Sequence, residues 1–184
     1  FKTVEIDNFW GAQLAVSHLL EKGYKNIGII TGPLNELAAN ERFLGWRYSL
    51  QEASQDADQS LIAHGSWNPD SGYRAAQLLL EQNPNLDAIF SSNDEMAIGA
   101  MRAIMEAGYK IPQDYGIVGF DDILTSRFLT PSLTTIRQDI NASSQIAVQE
   151  LIQLIENDVN QNHQPEQVIT LPPELIIRES TRRK

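Results

Sequence analysis

The chain has no cysteine. That excludes disulfides and thiolate metal sites, and it fits a reducing, cytoplasmic setting. No apolar run reaches 18 residues and no basic segment leads into an apolar one, so nothing reads as a membrane span or an export signal. Positive charge is scarce: 14 Lys plus Arg stand against 24 Asp plus Glu, a net charge of −10. So acidic a surface repels phosphate backbones, and these residues alone are not expected to bind DNA. Catalytic signatures are missing as well, with no G-x-S-x-G, no Walker loop, no H-E-x-x-H and no G-x-G-x-x-G after a strand. His18, His64 and His163 fall in a helix, at a strand end and in a polar linker, without the spacing of a metal cluster or a triad. The expectation is a protein that is not an enzyme and holds neither cofactor nor metal.

What is present fills a core. Hydrophobic residues make up 42% of the chain, and short β-rich runs alternate with helical patterns, the order of a parallel sheet flanked by helices. Thr3 to Ile6 reads as a strand. Ala12, Ala15, Val16 and Leu19 then form one helical stripe, closed by Gly23. Ile27 to Ile30 is a buried strand ended by Gly32-Pro33, followed by a helix marked by Phe43, Trp46 and Leu50. A weaker strand at Ser60 to His64, a helical face at Ala75, Leu78 and Leu79, and a strand at Ala88 to Phe90 come next. A helix carrying Ala97, Ala100, Met101 and Ile104 is capped by Gly108. After the strand Ile117 to Phe120, the stripe Val148, Leu151, Ile152 and Ile155 predicts one more helix. Glu174 to Arg178 reads as the last strand, and residues 157 to 166 as a polar linker.

Open α/β sheets bind ligands outside the carboxyl ends of their strands. Asp7, Asn8, Thr31, Asn93, Asp94, Asp121 and Asp122 stand at such ends and are expected to face one crevice. Carboxylates and side-chain amides suit the adjacent hydroxyls of a sugar. Arg42 either adds a forked donor there or forms a surface salt bridge. Asp94 is expected to cap the helix that follows, whereas Asn93 is open between cap and ligand contact. Asp121 and Asp122 are adjacent in a strand and point to opposite faces, which argues against a glycosidase pair. Trp67, outside any periodic stripe, is either a stacking platform for a sugar ring or a loop residue pinned on the core. Trp46 continues a core stripe. Trp10 either overhangs the crevice or anchors the first turn of its helix.

Seven segments together resemble the lac/gal repressor family. They are Val4-Glu5-Ile6-Asp7-Asn8, Thr31-Gly32-Pro33, Arg42-Phe43-Leu44-Gly45-Trp46, Ser92 through Ala100, Gly119-Phe120-Asp121-Asp122, Leu133-Thr134-Thr135-Ile136, and Glu174 through Thr181. The resemblance covers essentially the whole chain. It implies an α/β, periplasmic-binding-protein-like fold of two lobes built on parallel sheets, one lobe complete and the other partial. The expected division is 1–24 as a remnant of the amino-terminal lobe and 25–136 as the carboxyl-terminal lobe. Residues 137–166 would be a second remnant, and 167–184 a final strand returning to the carboxyl-terminal lobe with a tail.

By the same resemblance Arg42, Asn93 and Asp121 match positions that hold effector hydroxyls or their equivalents. Trp67 matches an aromatic wall, and Gln138 a polar contact just beyond a hinge. Trp10 replaces a residue that is polar in the lac repressor, which argues against a lactose-like specificity. The implied partners are a small-molecule effector, expected to be a sugar, and a second copy of the chain in a homodimer. Operator DNA would be reached only through a helix-turn-helix preceding Phe1, and no membrane is involved. Family effectors include galactosides, ribose, other pentoses, disaccharides and, in some relatives, purines. Exported solute-binding proteins share the fold, but the carboxyl-terminal run from Leu171 to Thr181 resembles repressors rather than transport proteins.

Overall fold

The computed structural model describes residues 2–157 and 167–182. Strand β1 (Lys2–Ile6) leads into α1 (Asn8–Glu21), and Asp7 caps that helix by accepting the Trp10 N–H. Three βα units follow: β2 (Ile27–Thr31) with α2 (Leu37–Glu52), β3 (Ile62–His64) with α3 (Pro69–Gln82), and β4 (Ala88–Ser91) with α4 (Asp94–Glu106). Then come β5 (Gly116–Asp121), β6 (Thr134–Arg137), α5 (Ile140–Asn157), β7 (Gln167–Leu171) and β8 (Glu174–Ile176).

Six strands form one sheet in the order β3-β2-β4-β5-β6-β8, parallel except for β8, which runs antiparallel on β6. β1 and β7 pair in a separate parallel sheet of two strands. Strands β2, β4 and β5 read as continuous apolar runs because both of their faces are covered. Gly11 of α1 lies against Phe120, whereas Gly28 lies against Leu79 of α3. Phe120 shares a sheet face with Phe90 and Ile29 by register, so Gly28 points the other way and helices flank both faces. The core between them includes Val16, Leu19, Ile29, Trp46, Phe90, Ile104 and Phe120. Gly23 and Gly108 follow their helices at φ of 85° and 89°, the left-handed positions expected of them.

Several expectations move. Strands β6 and β7 were not legible: β6 buries Thr134 and Thr135, whose hydroxyls are bonded internally, so it lacks an apolar alternation. Ser60 lies in a 3-10 turn before β3, and Leu78 is 41% exposed while its neighbour Leu79 is buried. The expected boundaries shift as well. Ala12, Ala15, Val16 and Leu19 bury α1 against the six-stranded sheet, so only β1 of residues 1–24 belongs to the smaller one. Of residues 167–184, Gln167–Leu171 pairs with β1, and the return to the larger sheet begins at Glu174. His163 and most of the polar linker lie outside the described residues. Past β8 the tail docks on the core: Ser180 Oγ donates to the Ile117 carbonyl at 2.6 Å, and Thr181 Oγ1 meets buried His18 at 2.8 Å. Burial lowers the His18 pKa, Lys22 adds to this and Glu21 opposes it.

Candidate functional site

The chain leaves β2 toward β3 on one side, while β4 lies on the other side of β2. That reversal makes the carboxyl ends of β2 and β4 the switch point, the place where doubly wound sheets take ligands. Arg42 reaches it from α2. Its side chain is 7% exposed; Nε donates to Asn8 Oδ1 at 2.9 Å, and NH1 donates to the Ser92 carbonyl at 2.5 Å. The guanidinium stacks 3.7 Å from the Phe120 ring centroid and 5.8 Å from that of Trp67. Burial lowers its pKa to about 10, against the pull of Asp121, Glu41 and Asp94. It is a buried, oriented cation rather than a surface ion pair.

Asp121 ends β5 with a carboxylate 3.6 Å from Arg42 NH1. Gln138, just past β6, donates to Asp121 Oδ1 at 2.5 Å. Burial raises the Asp121 pKa, and Arg42 and Gln138 work against that rise. Asp121 and Asp122 have φ of 113° and 56°, left-handed values that cost a non-glycine residue about 1–3 kcal/mol each. Asp122 lies just past the end of β5, and its direction is set by the turn and by its partners rather than by strand alternation. Its carboxylate takes Arg178 at 2.5 Å and Arg137 at 2.8 Å, and these bonds outweigh burial and lower its pKa.

Trp67, at φ 63°, closes one side. Its Nε1 donates to Glu36 Oε2 at 2.9 Å, and its ring covers Gly32 so closely that a Cβ there would overlap it. Asn93 is the cap of α4: Oδ1 accepts the Met96 N–H at 2.9 Å, while Nδ2 donates to the Trp67 carbonyl at 3.1 Å. The structure therefore brings Arg42, Asp121, Gln138, Trp67 and Asn93 into one bonded neighbourhood. Trp10 stands apart from those bonds, 46% exposed in the first turn of α1. Thr31 bonds His64 and Asp7 caps α1, so neither side chain is left free at its strand end.

Sequence reasoning passed over Ser92 and misassigned Asp94. Ser92 Oγ is buried and has no hydrogen-bond partner among the described residues, and the carbonyl of the same residue holds Arg42. Asp94 is not the cap. Fully buried, it accepts from Thr135 Oγ1, Ser126 Oγ and the Ile123 N–H. A run of polar residues directly after an apolar strand was the available signal for both. A hollow of about 500 Å3 lined by Lys25, Asp56, Asp58 and Asn83 opens at the opposite, amino-terminal ends of the strands and holds none of these residues.

A forked cation, a carboxylate, two amides and an indole face can grip vicinal hydroxyls or a flat polar ring. Among the described residues no cluster of His, Asp or Glu could hold a metal ion.

The sequence profile described as "Periplasmic binding protein-like domain" matches residues 16–181, and the chain belongs to that family. Within it, the chain corresponds to the effector-binding region of LacI-family regulators, and its relatives are transcriptional regulators rather than enzymes. It is 38% identical over 179 residues to the "HTH-type transcriptional repressor PurR" of Haemophilus influenzae, covering 97% of this chain and 53% of the relative. Among solved structures, the transcriptional regulator CelR–cellobiose complex matches with a TM-score of 0.90 at 30% identity, over 96% of this chain and 53% of that one. A LacI family regulator from Enterococcus faecium with bound ribose matches with a TM-score of 0.85 at 29% identity, over 96% and 64%. The chain thus spans about half the length of the curated relatives it matches.

Proposed function

We propose that this chain is the effector-binding region of a cytoplasmic, dimeric transcriptional repressor whose effector is a small carbohydrate. The observation that carries the proposal is the Arg42–Asp121–Gln138 group beside the Trp67 face, at the topological switch point of the sheet. Arg42 and Asp121 would take adjacent hydroxyls, Trp67 would pack on the C–H face of the ring, and Ser92 Oγ would gain the partner it lacks. Relatives with cellobiose and with ribose bound support a sugar. Operator DNA would be contacted by a helix-turn-helix outside these residues, since the chain itself carries −10.

Gln138 lies on the segment that leaves the six-stranded sheet for α5 and the β1–β7 pair. A ligand that replaces Gln138 as the partner of Asp121 favours one arrangement of that segment over another, which is what switching requires. A differential affinity of about 100-fold biases the two states by about 2.7 kcal/mol.

The test is a melting-temperature screen of the full-length protein against cellobiose, ribose, galactose and purine bases. A ligand at about 100 times its Kd stabilises by about 2.7 kcal/mol. A sugar shift abolished by Asp121→Ala establishes the proposal. A shift with purine bases alone replaces the sugar with a flat heterocycle, and silence across the panel defeats the effector assignment.

A further inference from the structure

We propose that Asp94 is a positioning residue for the effector site: its buried carboxylate holds the Asp121–Ile123 turn in the one conformation that presents Asp121 to Arg42. The proposal rests on the Arg42–Asp121 cluster being that site.

Asp94 is the first residue of α4, where a side chain ordinarily serves the helix end. Here Asn93 does that work, and Asp94 reaches across to the β5–β6 connection instead. Oδ1 accepts from Thr135 Oγ1 at 2.5 Å, and Oδ2 accepts from Ser126 Oγ at 2.6 Å and from the Ile123 N–H at 2.9 Å. The three donors come from β6, from the turn itself and from the short helix after it. A Cβ at Gly119 would overlap Oδ1, so the carboxylate is seated directly on β5, two residues before Asp121.

The turn needs such a hold. Asp121 and Asp122 are consecutive non-glycine residues with positive φ, a conformation that persists only where surroundings over-determine it. Arg137 and Arg178 fix the Asp122 carboxylate, and Asp94 fixes the backbone one residue on. Among the described residues no cation pairs directly with Asp94; the charged groups facing it are Asp121 from β5 and Arg42 from α2. All three hydrogen bonds run toward the carboxylate, so an amide at this position would turn N–H groups on at least one donor.

Burial raises the Asp94 pKa to about 6, while Ser126, Thr135 and the Ile123 N–H pull it down. Bonds that lower a pKa are stronger to the charged form. Protonation therefore loosens the turn as pH falls through about 6. The sign for the whole fold is opposite: a carboxyl raised above its ordinary value contributes most at acid pH, and that contribution is lost as pH rises through the folded pKa. A merely structural tie would move local and global stability together.

The experiment is hydrogen exchange with mass detection on the full-length protein, following peptides over 121–128 and, for comparison, 96–106. In the wild type, exchange over 121–128, corrected for its intrinsic rate, rises about tenfold from pH ~7.5 to pH ~5, the weight of one charge-assisted bond. Asp94→Asn exchanges fast at both values with no pH step, and 96–106 stays protected. Wild-type protection in Asp94→Asn, a pH step that survives it, or loosening spread equally over α4 overturns the proposal. Should that variant not fold, Ser126→Ala carries the test: exchange about threefold faster and confined to 121–128 supports the proposal, and unchanged exchange overturns it. Where cellobiose or ribose binds, Asp94→Asn weakens its Kd about tenfold. Failure of every sugar and purine base to bind strikes the effector assignment and leaves the exchange result standing.

Discussion

At the residue scale the site is governed by groups that cannot exchange roles. Arg42 holds Asn8 with Nε and Ser92 with NH1, a fork that one ammonium cannot reproduce. Arg42→Lys should fold yet lose at least about tenfold in effector affinity by calorimetric titration, because the charge remains and the planar geometry does not. Ser92→Ala makes the opposite use of a hydrogen bond. Its hydroxyl is already unpartnered, so removal should leave the melting temperature unchanged or slightly raised, and a clear fall would mean that the hydroxyl has an internal partner. Strand ends and the family resemblance single out Arg42, Asp121 and Gln138 in the sequence, and the structure bonds these three side chains to one another. Burial of Arg42 was not legible there, since the 34 residues separating it from Asn8 leave no local pattern. The role of Asp94 was hidden for the same reason, its partners lying 29, 32 and 41 residues away.

At the element scale, strands and helices with strong apolar periodicity were legible almost to their ends. Elements whose inward residues are polar were not: β6 hides behind Thr134 and Thr135, and β7 is largely exposed. The crossing of α3 on α4 is set by glycines rather than by apolar periodicity. Gly72 sits on the Met96 backbone and Gly99 on the Pro69 carbonyl, each leaving no room for a Cβ. Helix propensity alone would make Gly99→Ala stabilising by about 1 kcal/mol. Overlap with backbone reverses the sign, and the expected outcome is a loss of about 2 kcal/mol or more in denaturant unfolding. Gly32→Ala acts on a side chain instead. It should displace Trp67, shifting indole fluorescence and weakening effector binding while the sheet stays intact.

At the scale of the whole molecule the two sheets are unequal in what they bury. The six-stranded sheet is covered on both faces, but the α5 side chains Val148, Leu151, Ile152 and Ile155 are 55%, 57%, 48% and 67% exposed. Their spacing is that of a core-facing stripe, so the helix carries an apolar face without a cover among the described residues. Since these side chains bury little here, changing them should cost the six-stranded core little. Leu151→Glu with Ile155→Glu in this 184-residue chain should leave the main melting transition within a few degrees, an effect of about 0.5 kcal/mol or less for exposed positions. The same change should sharply reduce binding of an apolar dye such as ANS. In the full-length protein the pair would have a different effect if the stripe is covered there: burying two carboxylates costs several kcal/mol, and the melting temperature should fall clearly. Equal tolerance in both forms would mean that the α5 face is a free surface of the complete protein, and the expectation that residues 137–166 are part of a larger amino-terminal lobe would fail.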